Sequence, residues 1–276
     1  MIIPSRFPSM SVSLIRCSYL LCLMVFAVLL HAIPAHASGK ARNIKLDQTM
    51  CASLRSNGVL HAHAPIGCER LQVVHFSYIG FDGKQHDDGK IMVMDAVAPQ
   101  VAALFDQLRA RGFALAGARL MQHYRGDDQA SMRANNTSAF NDRAITNASA
   151  PSLHAYGLAI DINPVQNPFV EISKSGHAEV SPAAGGCYLN RQITRPGKPA
   201  RKGMAEDVVE LFAQHGFTIW GGDWDAPIDY QHFQVSRTLA RQLAASSPAQ
   251  AAALFEQHVQ VYRNCRRDQS RAACVH

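Results

Sequence analysis

No block of lysine or arginine and no basic helix occurs anywhere in this 276-residue chain. Its 27 basic and 21 acidic side chains are dispersed and leave a formal charge of +6. A field that mild and scattered excludes nucleic acid as an expected partner. No internal repeat and no domain-length linker interrupts the chain, so a single domain is expected. The longest apolar run, Tyr19 to Leu30, is short for a membrane-spanning helix. None of the seven cysteines stands in an activating arrangement, which argues against thiol catalysis.

What the N-terminus does contain is the three-part pattern of an export signal. Arg6 and Arg16 precede the apolar run, and Ala35-His-Ala37 follows it. Cleavage is expected after Ala37, with a periplasmic or secreted product and no membrane span left in it. Residues 1–37 hold two arginines and no acids, so their removal lowers the charge from +6 to +4. Such an excess suits an anionic cell envelope. About 240 residues remain, enough for one domain with a real core. Five cysteines remain as well, and an oxidising compartment favours disulfides. The short-range pairs Cys51–Cys68 and Cys265–Cys274 are the expected ones, although spacing alone leaves connectivity open. Cys187 would then be the odd thiol.

Along the chain, 38–68 reads as an irregular arm that a Cys51–Cys68 disulfide would tie. A hairpin follows, Leu71 to Ile79 and Lys90 to Met94, with Asp82-Gly83 and Asp88-Gly89 in its polar turn. A helix with Pro99 in its first turn carries Val101, Leu104, Phe105 and Leu108 on one face and stops at Gly112. Phe113 to Leu120 suits a strand. Residues 121–153 are polar and too long for an idle connector. His154 to Ile162 alternates in part as a strand does, 163–202 is loop-rich, and a helix is expected over 204–215 with Gly216 as its stop. Phe217 to Trp220 and Asp229 to Val235 suit short strands, and 237–276 is helical. The expected class is α+β: one domain, 69–236, in which an antiparallel sheet with packing helices carries the functional residues, plus a helical C-terminal extension over 237–276.

Those residues are His154 and Asp161 in one segment and Asp229 and His232 in another. Two imidazoles and one carboxylate, with a second carboxylate nearby, fit a catalytic zinc site that keeps one position for water. His154 and Asp161 are seven apart and meet one ion only if the chain bends at Gly157. A lone histidine there is more often structural. Asp229 and His232, three apart, suit a base and a ligand, or equally a turn cap and a core histidine. A metallophosphoesterase is disfavoured because ligands for a second ion are missing. The remaining histidines, including His61 and His63, have no partner at useful spacing.

The patterns Ser152-x-His154-x-x-Gly157-x-Ala159-x-Asp161 and Asp229-x-x-His232-Phe resemble the two signatures of the LAS-type (M15-like) zinc peptidases. Asn135-Asn-Thr-Ser-Ala-Phe-Asn-Asp-Arg143, Asp161-Ile-Asn-Pro-Val-Gln-Asn-Pro168 and Trp220-Gly-Gly-Asp-Trp224 extend the likeness over roughly residues 65–236. The resemblance implies one Zn2+ held by His154, Asp161 and His232, with Asp229 as catalytic base. It also implies an arginine for the oxyanion or substrate carboxylate, Arg143 first and Arg125 as the alternative. Ser152 and Trp220 are the candidate substrate-binding residues: Ser152 to hydrogen-bond substrate, orient the His154 loop or act as a cap, and Trp220 with Trp224 to wall the cleft or pack in the core. The resemblance also leads us to expect a cysteine where this chain has Asp142; if that cysteine normally pairs with one near position 187, its absence would account for an unpaired Cys187. The implied activity is D-alanyl-D-alanine carboxypeptidase on peptidoglycan stem peptides. The alternatives are a peptidoglycan endopeptidase or a non-catalytic zinc protein that binds stem peptides. No protein partner is indicated.

Overall fold

The computed structural model describes residues 39–146 and 148–275. The expected signal segment, 1–37, lies outside them. No helix among the described residues is long and apolar enough to cross a membrane.

The described part of the arm, 39–68, is more ordered than its composition suggests. Strand β1 (Arg42–Lys45) is followed by helix α1 (Gln48–Ser56), whose cap Asp47 accepts a hydrogen bond from the Met50 amide at 2.7 Å. The disulfide Cys51–Cys68 fastens α1 to the start of β2 (Leu71–Gly80). Strand β3 (Gln85–Met94) pairs with β2 over most of their length. The hairpin turn occupies only 81–84, so Asp88-Gly89 lies inside β3, beside a bulge at Phe76–Tyr78, and not in the turn. Helix α2 (Ala98–Ala110) lays Val101, Leu104, Phe105 and Leu108 on this sheet, with the Phe105 ring stacked on Phe76 at 3.9 Å. The strand expected over 113–120 shrinks to β4 (Ala114–Leu115), parallel to β2.

Residues 121–153 hold helix α3 (Asp128–Arg133) and a run of buried polar residues. Order here comes from side-chain amides. Asn136 accepts from the Arg119 amide at 2.7 Å and donates to the Arg119 carbonyl, and Asn141 donates to the Gly126 carbonyl. Strand β5 (Ala159–Asp161) follows, then the hairpin β6 (Phe169–Ile172) and β7 (Ala178–Ser181). The helix expected over 204–215 is a 3-10 turn at Ala205–Asp207 and a short α4 (Val209–Gln214). Strands β8 (Ile219–Trp220), β9 (Ile228–Asp229) and β10 (His232–Gln234) precede helices α5 (Arg237–Ala245), α6 (Pro248–Cys265) and α7 (Arg271–Cys274).

The class is α+β, with three small sheets where one was expected. The first joins β1–β4, the second runs β5-β10-β8, and the third runs β7-β6-β9. Leu239, Leu243, Phe255 and Val259 of α5 and α6 share the main core with Phe212, Phe217 and Phe233, so the C-terminal helices pack into the domain. The bridge Cys265–Cys274 closes the C-terminal turn, and Cys187 is a free, exposed thiol.

Candidate metal centre and active-site cavity

Two local devices bring the histidines to Asp161. Ser152 starts a 3-10 turn over Leu153–Tyr156, its Oγ accepting from the His154 amide at 3.3 Å. Gly157 ends that turn at φ +64°, and a Cβ there would sit 2.6 Å from the Met94 amide nitrogen. The chain can therefore reverse at Gly157 only with glycine. The reversal returns β5 past the turn, so His154 and Asp161 meet although they are seven apart. His232 arrives differently: it lies directly opposite Asp161 in the antiparallel β5–β10 pair.

The donor atoms are sorted by their outer partners. His154 Nδ1 lies 2.5 Å from the Ala139 carbonyl, so Nδ1–H donates there and Nε2 keeps its lone pair. His232 Nε2 lies 2.8 Å from Gln234 Oε1, which leaves Nδ1 as the acceptor. These two nitrogens are 3.2 Å apart, and each is close to the Asp161 carboxylate, at 3.1 Å from His154 and 2.9 Å from His232. All the ligand atoms fall within 4.8 Å of one another, and all three residues are buried. Three acceptors facing one point require a proton or a cation between them. With a proton, burial works against the charged His232 but the Asp161 hydrogen bond and charge outweigh it, raising its pKa to about 9. Burial likewise raises Asp161, and the two histidines more than reverse that, holding it well below the usual carboxylate range. The donor set of two imidazole nitrogens and one carboxylate fits a single divalent ion of the zinc type.

Asp229 stands on the neighbouring sheet. Its strand β9 pairs with β6, and only Tyr230 and Gln231 separate it from β10. It is buried, and its Oδ1 has no hydrogen-bond partner among the described residues. Burial, partly opposed by the charge of His232 and reinforced by that of Asp161, raises its pKa to about 7. A cation in the His–Asp–His cluster would draw that value down. Gly221 explains part of the Trp220–Trp224 motif, since a Cβ there would lie 2.5 Å from the Asp229 carbonyl oxygen.

These groups open into a cavity of about 540 Å³, a size suited to a small peptide segment. Arg143 lines it, with Nη2 2.9 Å from Asp128 and Nε without a partner among the described residues. Arg125 is exposed and lies outside the lining. Ser152 lines the cavity, as does Trp224, whose ring centre is 5.5 Å from that of His232. Trp220 is outside the lining. It stacks on Phe233 and donates from Nε1 to the Tyr230 carbonyl, holding the link between Asp229 and His232.

Four contributors were not singled out in the sequence. Gln234 orients His232, and its spacing of two on a strand was a usable signal. Arg237 lines the cavity and donates to the Pro151 carbonyl. Asn163 braces the loop after β5, donating to the Ala114 and Gly203 carbonyls. Arg191 grips both Glu206 oxygens and Asn167 and lies 4.3 Å above the Tyr230 ring. Neither arginine carries a clear local signal, because the side-chain partners of Arg191 and the Pro151 carbonyl bonded by Arg237 are distant in sequence.

Two buried imidazoles and a carboxylate thus form a group that could hold one metal ion, with a further carboxylate beside them in an open cavity. Residues 146–235, about a third of the chain, match the family model described as D-alanyl-D-alanine carboxypeptidase. That segment contains all four residues, and its match supports a likeness to an M15-like peptidase family. No curated protein and no solved structure gave a significant match.

Proposed function

We propose that the protein is a zinc-dependent peptidase of peptidoglycan stem peptides, acting as a D-alanyl-D-alanine carboxypeptidase in the periplasm or outside the cell. The observation that carries this reading is the convergence of His154 Nε2, His232 Nδ1 and Asp161 beside the buried, unpartnered Asp229 Oδ1. An ion held by the three would acidify water toward neutrality and polarise the scissile carbonyl.

The chain's own groups supply the rest. Asp229 takes a proton from the attacking water and returns it to the leaving amine. Its seat on a separate strand would keep it beside the three ligands without making it one of them. Arg143, permanently charged and in the cavity wall, stabilises the developing oxyanion, a role for which exposed Arg125 is badly placed. Ser152 holds the His154 turn and offers a hydroxyl to substrate. Trp220 acts from behind, through the Tyr230 carbonyl, and Trp224 walls the cleft. In this reading 69–236 is the catalytic unit, with the 38–68 arm and the 237–276 helices supporting it.

The test is metal analysis of the purified protein combined with a muropeptide digest read by mass spectrometry. One zinc per chain and release of D-alanine are expected. Cleavage inside the stem peptide would redirect the reading to an endopeptidase, and zinc with no product would make the protein a binding module.

A further inference from the structure

We infer, on the basis of the peptidase reading, that the C-terminal helix α7 is a strut for one wall of the cavity. Arg271 is its positioning residue, acting through Asp223 on Trp224.

The loop between β8 and β9, 221–227, carries two side chains of the cavity lining, Trp224 and Pro227. Its first turn is set by close packing. A Cβ on Gly222 would collide with the Trp220 ring, and one on Gly221 would lie 3.2 Å from the Trp224 ring. The turn is therefore seated between the two tryptophans. Beyond it the loop faces outward, since Asp223, Asp225, Ala226 and Pro227 are exposed. Strand pairing resumes only at Ile228, opposite Val170. A stretch with so few buried contacts opens at low cost unless a side chain holds it.

The hold comes from far along the chain. Arg271 Nη2 donates to Asp223 Oδ2 at 2.6 Å. The next residue is Trp224, whose ring stands 5.5 Å from that of His232. Arg271 in turn has a fixed base. Cys274, three residues on, is buried against Ala213 and Tyr262 and bridged to Cys265 at the end of α6. Within the loop so closed, Arg266 is bonded to Glu210 of α4 at 3.0 Å. A loop this short leaves Arg271 little freedom.

Side-chain exposure is 26% for Arg271 and 46% for Asp223. An exposed ion pair contributes little to the fold and shifts an equilibrium by about fivefold at most. Its effect therefore falls on the loop. The candidate ligands Asp161 and His232, and Asp229, are held by the β5–β10 and β6–β9 pairs instead. What Arg271 sets is the place of the Trp224 ring, and with it substrate affinity, not the chemical step.

The test compares zinc-loaded wild-type protein with Arg271→Gln, Asp223→Asn, the two combined, and Arg271→Lys. Hydrolysis of a synthetic stem pentapeptide gives kcat and KM. Acrylamide quenching of fluorescence reads the loop directly, because the chain's two tryptophans both flank this turn. Arg271→Gln and Asp223→Asn should each raise KM about three- to fivefold at unchanged kcat, and the combined variant no further. Quenching should rise in all three, with zinc content and Tm as in the wild type. Arg271→Lys should behave as wild type, since one contact to one oxygen needs only a point charge. Unchanged KM and quenching in Arg271→Gln overturn the strut, and so do additive effects in the combined variant. A fall in Tm that accompanies the rise in KM would assign the pair to the fold and contradict the positioning role. Should the wild type hydrolyse no stem peptide, the peptidase reading falls, and the quenching series alone decides whether Arg271 holds the Trp224 loop.

Discussion

Each candidate ligand nitrogen is selected by what the other ring nitrogen does. His154 spends Nδ1–H on the Ala139 carbonyl and His232 spends Nε2–H on Gln234, so both free lone pairs turn toward Asp161. The Asp161 charge is central to this arrangement. Asp161→Asn keeps the shape and removes the anion, and should weaken zinc binding by more than about a hundredfold, beyond what loss of an outer partner produces. Competition with a chromogenic chelator would measure it, and unchanged affinity would remove Asp161 from the ligand set. A different histidine contributes to acid sensitivity. His215 is buried between Gln107 and Gln100. Burial, with the charges of Arg263 and Arg111, lowers its pKa from 6.5 to about 4. The fold prefers its neutral form, so the contribution is complete above pH 6.5 and is lost as pH falls toward 4. The shift corresponds to about 3 kcal/mol. Denaturant melts from pH 7 to pH 4 should show this slope in the parent and a shallower one in His215→Gln.

At the scale of elements, the site is assembled by a turn, a register and a short link between two sheets. The turn depends on Gly157, where φ is +64° and the Met94 amide occupies the space of a Cβ. Gly157→Ala should cost about 1–2 kcal/mol from the left-handed backbone alone and lower Tm by about 2–8 °C. An unchanged Tm, read by calorimetry, would show that the turn tolerates a side chain. The β2–β3 hairpin and α2 were legible in the sequence because their apolar residues repeat at strand and helix periods. So was the bend at Gly157 that lets His154 reach Asp161. The 38–68 arm was not. Three of the four residues of β1 are exposed, so this edge strand carries no alternation, and α1 is announced mainly by its Asp47 cap. The order of 121–153 was equally hidden, because asparagine side chains bonded to distant backbone leave no periodic trace. The roles of Trp220 and Trp224 depend on which ring faces the cavity, and spacing does not encode that.

For the whole molecule, separation of roles follows from the topology. Asp161 and His232 share one sheet, Asp229 belongs to the next, and the cavity opens where the two meet. The disulfide Cys51–Cys68 and the helices α5 and α6 stabilise the surrounding body, since both tie chain ends to the common core. The central claim is that Asp229 performs chemistry and not metal binding. It is tested most directly by digesting muropeptides with Asp229→Ala protein whose zinc content is measured in the same sample. The account predicts one zinc per chain, as in the parent, and a loss of hydrolysis of about a hundredfold or more. Full hydrolysis by this variant, or loss of its zinc, would contradict the account.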